Sequence, residues 1–131
     1  MKKFFLCMLA LLSVHVATYA QSKDYPEITF DKTVHDFGKF SENDPTVSCI
    51  FTFTNTGKKA LVINQAHASC GCTVPEYTKA PIEPGKKGTV KITYNGYGKY
   101  PGAFAKTVTL RTNAKEETVK LTIKGEMTAK K

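Results

Sequence analysis

Apolar residues recur at every second position through most of this chain. In residues 90–95, Val90, Ile92 and Tyr94 alternate with Lys91, Thr93 and Asn95. In residues 107–111, Val108 and Leu110 alternate with Thr107, Thr109 and Arg111; in residues 118–124, Val119, Leu121 and Ile123 alternate with Lys120, Thr122 and Lys124. A period of two puts successive side chains on opposite faces of a strand, so each segment predicts one face on a core and one in water. A helix would need apolar residues three and four apart. Val47, Cys49, Phe51 and Phe53 form a fourth alternating series, and Leu61 and Ile63 a shorter fifth one with Val62 facing the other way. Residues 28–30 and 34–40 read as two stretches of one broken edge strand. Residues 73–78 read as a short edge strand, because Pro75 lacks the N–H that a central strand must donate.

Turn residues divide these segments. Asn55-Thr56-Gly57-Lys58 and Pro84-Gly85-Lys86-Lys87-Gly88 are strong turns. Asn113-Ala114-Lys115-Glu116 joins the last two strands, and residues 97–102 form an aromatic loop with Gly98 and Pro101. The count is about seven short strands, which predicts an all-β protein, a two-sheet sandwich with barrel closure as the alternative.

The first twenty residues do not belong to this pattern. Lys2 and Lys3 precede a largely apolar stretch, residues 4–16, and Thr18-Tyr19-Ala20 offers small residues where a signal peptidase cuts. The expectation is a signal peptide over 1–20, cleavage near Ala20, and one domain over 21–131, placed in the periplasm or secreted. Ser13 and His15 interrupt the apolar run, which is short for a membrane span; a retained anchor helix is the alternative. Cys7 lies inside the apolar stretch, not just after the cut, which argues against lipid attachment there. The later sequence predicts no transmembrane span.

Without Lys2 and Lys3, 17 basic residues face 11 acidic ones, a net charge of +6. The lysines are spread over turns and alternate strand positions, as on a solvated surface. Export and the lack of a basic helix argue against a nucleic-acid partner. Weak attraction to an anionic polysaccharide or phospholipid surface is compatible with this charge.

Three cysteines follow the signal, Cys49, Cys70 and Cys72, an odd number for an oxidising compartment. His67, Cys70 and Cys72 form a His-x-x-Cys-x-Cys segment that could hold copper(I), or give zinc three of its four ligands. The second ligand pair of a strong zinc signature is missing, and Met127 stands alone. A Cys70–Cys72 disulfide faces a demanding geometry at two residues' spacing. A bridge from either to Cys49 is another option, as is Cys49 as a buried, inert thiol sharing the parity of Phe51 and Phe53. Thiol-redox chemistry would need a lowered pKa and exposure, with Lys79 or His67 as helpers.

Other chemistry is thin. His35 lies in the irregular edge region. Glu116 and Glu117 read as turn residues, and no nucleophile elbow or phosphate-binding loop occurs, so no catalytic residue is assigned. Tyr94 has core parity. Tyr97 and Tyr100 lie beside glycines, either as an exposed contact loop or folded back over the end of the sandwich.

Phe37-Gly38, Phe51-Thr52-Phe53-Thr54-Asn55-Thr56-Gly57, Leu61-Val62-Ile63, Ser69-Cys70-Gly71-Cys72-Thr73, Pro81-Ile82, Pro84-Gly85, Gly88, Tyr94, Gly102-Ala103-Phe104, Thr112-Asn113 and Leu121-Thr122-Ile123-Lys124-Gly125 together resemble the secreted bacterial family known as domain of unknown function 1573. The resemblance spans about residues 30–126. It implies an immunoglobulin-like sandwich, similar to domains of ciliary and centrosomal proteins and of periplasmic pilus chaperones, and no enzyme activity. The subunit-anchoring basic residues of pilus chaperones have no counterpart in these motifs, and Cys49 lies outside them. The reading is a non-catalytic extracytoplasmic module that contacts protein or envelope polysaccharide through an edge strand or an end loop, without a cofactor. Copper(I) or zinc binding and thiol-redox function are the alternatives.

Overall fold

The computed structural model describes residues 24–130. The signal-peptide expectation lies outside those residues. Eight strands follow in order: β1 (Ile28–Phe30), β2 (Val34–Ser41), β3 (Thr46–Asn55), β4 (Ile63–Ala68), β5 (Thr73–Tyr77), β6 (Lys87–Asn95), β7 (Gly102–Thr112) and β8 (Thr118–Thr128). They form two four-stranded sheets, ordered β1-β3-β6-β5 (sheet A) and β2-β8-β7-β4 (sheet B). This is an all-β, two-sheet sandwich, as the alternation and the family resemblance lead one to expect, with one strand more than the count of about seven.

Each sheet turns its apolar parity inward. Phe51, Phe53, Val90 and Ile92 of sheet A meet Val108, Leu110, Leu121 and Ile123 of sheet B, and all eight are fully buried. Burying a side chain of this size contributes about 1.5–3 kcal/mol, so this inner layer supplies the main drive to fold. Most outward positions of the long strands carry threonine or lysine, with Ile50, Ala103 and Ala105 among the exceptions.

The extra strand comes from the broken edge. Residues 28–30 and 34–40 do not share one edge: β1 pairs antiparallel with β3 in sheet A, while β2 pairs parallel with β8 in sheet B. Residues 31–33 carry the chain across, with Thr122 N–H donating to Thr33 O at 2.8 Å. The break in the alternation marks a change of sheet.

The fifth series also continues past the point where its alternation lapses. β4 runs on to Ala68 because its register against β7 shifts between Ile63 and Gln65. The bulge turns both Asn64 and Gln65 outward and returns Ala66 and Ala68 to the inner side.

Candidate functional site

The two ends of the sandwich are built from different chemistry. At one end lies Asn55, the last residue of β3, fully buried and polar. Its Nδ2 donates to Lys59 O at 2.7 Å and to Ile82 O at 2.8 Å. Its Oδ1 accepts from Gly57 N–H at 3.0 Å and Glu27 N–H at 3.4 Å. Asn113 works the same way nearby, accepting from Val62 N–H and donating to Ala60 O. Asn55 thereby satisfies loop backbone that is buried or partly buried, while Asn113 ties its loops together at the surface. The sequence presents Asn55 only as a turn residue, since its burial depends on Glu27, the 57–59 turn and Ile82 meeting around it.

At the other end the core is closed by rings. Tyr94 and Phe104 stack with centroids 3.9 Å apart and planes 8° from parallel. Phe40 meets both edge-on, at 6.3 and 5.8 Å. Met127 is buried in the same region. Tyr94 therefore has the core role its parity predicts, and burial raises its hydroxyl pKa.

Above this plug stands the 96–101 loop. Gly96 N–H donates to Pro45 O, Tyr97 N–H to Asn95 Oδ1, and Lys99 N–H to Gly96 O, all at 2.9–3.0 Å. Gly98 adopts φ +77°, a left-handed conformation that suits glycine in a tight turn. Tyr97 and Tyr100 project from this anchored turn with 83% and 95% of their surface exposed. They do not fold back, because Phe40, Tyr94, Phe104 and Met127 already seal the core beneath them. A shallow groove of about 600 Å³ begins just past the loop on the outer face of sheet B, with Ala103 and Ala105 beside Asp36, Lys39, Lys124 and Glu126.

Residues 69–72 form the crossing from β4 to β5 at the same end, where Asn95 N–H donates to Cys72 O at 2.8 Å. The Cys70 and Cys72 sulfurs are joined, with Cα atoms 5.3 Å apart. That separation falls within the span a disulfide tolerates. The turn at residues 71–72, closed by Thr73 N–H donating to Cys70 O at 3.2 Å, provides it, so the spacing is less demanding than the sequence suggests. Cys49 is a free, buried thiol. It pairs with Ile92 on one side of β6 while Pro75 of β5 pairs with Ile92 on the other. A bridge from Cys49 to the crossing would have to span β6, about two strand spacings of 4.8 Å. Burial pushes the Cys49 thiol up to about 11, against a smaller opposing effect of Lys32.

The copper(I) or zinc site is not assembled. Ala66 and Ala68 face the core, which turns His67 between them to the outer face of sheet B. The two sulfurs are bonded to each other, and among the described residues no three His, Cys, Asp or Glu side chains gather as a metal site. Lys79 is no helper for the cysteines either. It lies past the far end of β5, with its Nζ 3.8 Å from the Tyr77 ring centroid. His35 is in β2, where burial first, then Lys32, lowers its pKa, opposed by Asp36; Lys32 Nζ lies 3.0 Å from its Nδ1.

The sheet edges are poorly suited to strand addition. β1 has three residues. β2 is bulged between Asp36 and Lys39, with Gly38 at φ +69°. β4 carries its own bulge. In β5, Cys72 O and Thr78 N–H bond toward β6, so by alternation Pro75 faces the free edge and removes a donor there.

Comparison with known proteins agrees with this architecture. The family model described as protein of unknown function (DUF1573) matches residues 28–127. Among curated proteins, no relative matches. Of solved structures, a protein of unknown function from Porphyromonas gingivalis W83 aligns with a TM-score of 0.70 at 14% identity over 80% of this chain, which spans about half of that one (48%). The ASH/PapD-like domain 7 of human CEP192 aligns with a TM-score of 0.60 at 11% identity, covering 82% of this chain and 89% of that one. The periplasmic chaperone SfaE aligns with a TM-score of 0.53 at 14% identity, covering 80% and 59%. At these identities the likeness is one of fold.

Proposed function

The chain belongs to the DUF1573 family, and from that premise we propose that it is a non-catalytic extracytoplasmic binding module whose contact surface is the 96–101 loop. The observation that carries this reading is the exposure of Tyr97 and Tyr100 above a core end that is already sealed. Two rigid aromatic side chains on an anchored turn offer contact area at low entropic cost. The blocked edges favour this end loop over strand addition. The partner is a protein or an envelope polysaccharide, held by the two tyrosines and bordered by the mixed charges of the groove.

An extracytoplasmic location is supported by the export pattern of residues 1–20 and by the fold likeness to SfaE, a periplasmic chaperone. No helix among the described residues is long and apolar enough to cross a membrane.

The test is photo-crosslinking in the envelope of the source cell, with the reactive group at position 97, 100 or 50. Ile50 is also exposed but lies on the outer face of sheet A. Adducts at 97 and 100 with none at 50 support the reading. In parallel, sedimentation with isolated envelope glycan should be lost in the Tyr97→Ser/Tyr100→Ser variant if the partner is polysaccharide. Absence of adducts at both tyrosines, with glycan binding that is missing or unchanged by the double substitution, overturns it.

A further inference from the structure

The 69–72 crossing is held from both sides without its sulfur bridge. Ser69 N–H donates to Thr107 O at 2.9 Å, and Thr107 N–H donates to Ser69 Oγ at 3.1 Å. Within the turn, Thr73 N–H donates to Cys70 O at 3.2 Å. On the sheet A side, Asn95 N–H binds Cys72 O. The bridge encloses only Gly71, so it constrains the unfolded chain little and ties no two strands together. It can therefore open and close while the sandwich stays intact.

The surroundings are suited to the opened state. Cys72 N–H donates to Cys70 Sγ at 3.1 Å. The Thr73 hydroxyl lies 4.0 Å from Cys70 Sγ and 3.7 Å from Cys72 Sγ. Donors aimed at a sulfur favour its thiolate once the bridge is broken. Both cysteines are half-buried, so a reagent has access, and Cys72 packs against the core. Cys49 cannot divert the exchange, since it is buried and β6 stands between.

We propose that Cys70 and Cys72 form a thiol-exchange site that oxidises an extracytoplasmic dithiol. One thiolate of the dithiol attacks Cys70 Sγ; a new S–S bond forms there as the Cys70–Cys72 bond breaks, and Cys72 Sγ leaves with the electron pair. The second thiolate of the dithiol then attacks the sulfur bonded to Cys70. That closes the dithiol into a disulfide and releases Cys70 as a thiolate toward the Cys72 N–H and Thr73 hydroxyl. Two electrons and two protons pass from the dithiol to the two cysteines. This site is independent of the contact-loop reading, and its test does not involve the tyrosines.

The experiment titrates the folded protein with dithiothreitol at 25 °C, followed by alkylation, peptide mass mapping and circular dichroism. Cys70 and Cys72 are expected to become alkylated while the spectrum stays that of the oxidised protein and Cys49 stays unlabelled. Oxidised glutathione should then restore the bridge. With oxidised glutathione, Cys72→Ser should form a mixed disulfide at Cys70 at least about tenfold faster than Cys70→Ser forms one at Cys72. A bridge that opens only in unfolding urea, or whose opening abolishes the spectrum, overturns the proposal in favour of a structural staple. Equal rates in the two variants overturn the role given to Cys70. Should either variant fail to fold, the wild-type titration decides by itself.

Discussion

The two ends of this sandwich place their polar and aromatic side chains in opposite ways. At the Asn55 end, the side-chain amides of the buried Asn55 and the exposed Asn113 are taken up by the backbone of neighbouring loops. At the Tyr97 end, rings close the core and two further rings stand exposed. The first end is a knot that consumes its hydrogen-bonding capacity. The second presents apolar surface and a half-buried disulfide on turns secured by backbone bonds. Comparing them indicates where a partner would be met: a site needs groups that the fold has not already used.

The largest effect expected is at the knot. Asn55→Ala should remove the buried amide that binds Lys59 O, Ile82 O, Gly57 N–H and Glu27 N–H and destabilise the protein by about 3 kcal/mol or more, read from urea unfolding. A loss below about 1 kcal/mol would mean that water replaces the amide and the end is open.

Next comes the buried thiol between the ends. Because burial raises the Cys49 pKa from 9.0 to about 11, the folded state holds this proton more tightly than the unfolded chain. That stability is fully present below pH 9 and is lost as pH rises toward 11, amounting to about 2–3 kcal/mol. Unfolding free energies of the parent protein and Cys49→Ala, measured from pH 8 to 11, should converge across that window; parallel curves would show that the thiol does not titrate with folding.

Smaller still, Cys70→Ser/Cys72→Ser should cost about 1.5 kcal/mol or less, because the loop closed is so short. A cost rivalling that of Asn55→Ala would make the crossing a second knot. Tyr97→Ser/Tyr100→Ser should change stability by less than about 0.5 kcal/mol. A larger loss of stability would show that the rings pack against the fold in solution.

Much of this was legible in order along the chain. The long strands β3, β6, β7 and β8 follow from alternation, which needs only the two-residue repeat of an extended backbone and a core to face. Pro75 announced an edge strand for the same local reason, and Tyr94 a core position. The irregular segments were not readable in this way. The lapse after Ile63 reads as a strand end but is a bulge, and the gap between Phe30 and Val34 reads as a broken edge but is a change of sheet. Both depend on which strand lies alongside. The candidate chemistry divides similarly: His67, Cys70 and Cys72 are close in sequence, yet strand parity turns the imidazole away and the two sulfurs bind each other.

By itself, then, the sequence determined the class of fold, the family and which residues line the inner faces, because backbone periodicity and apolar burial are local or additive. The tertiary structure decided that Asn55 is buried, that Cys49 is screened from the other cysteines by β6, and that Tyr97 and Tyr100 stay in solvent. Each of those depends on what distant segments bring to the same place: loops that need an amide, a strand that intervenes, and a ring cluster that has already closed the core.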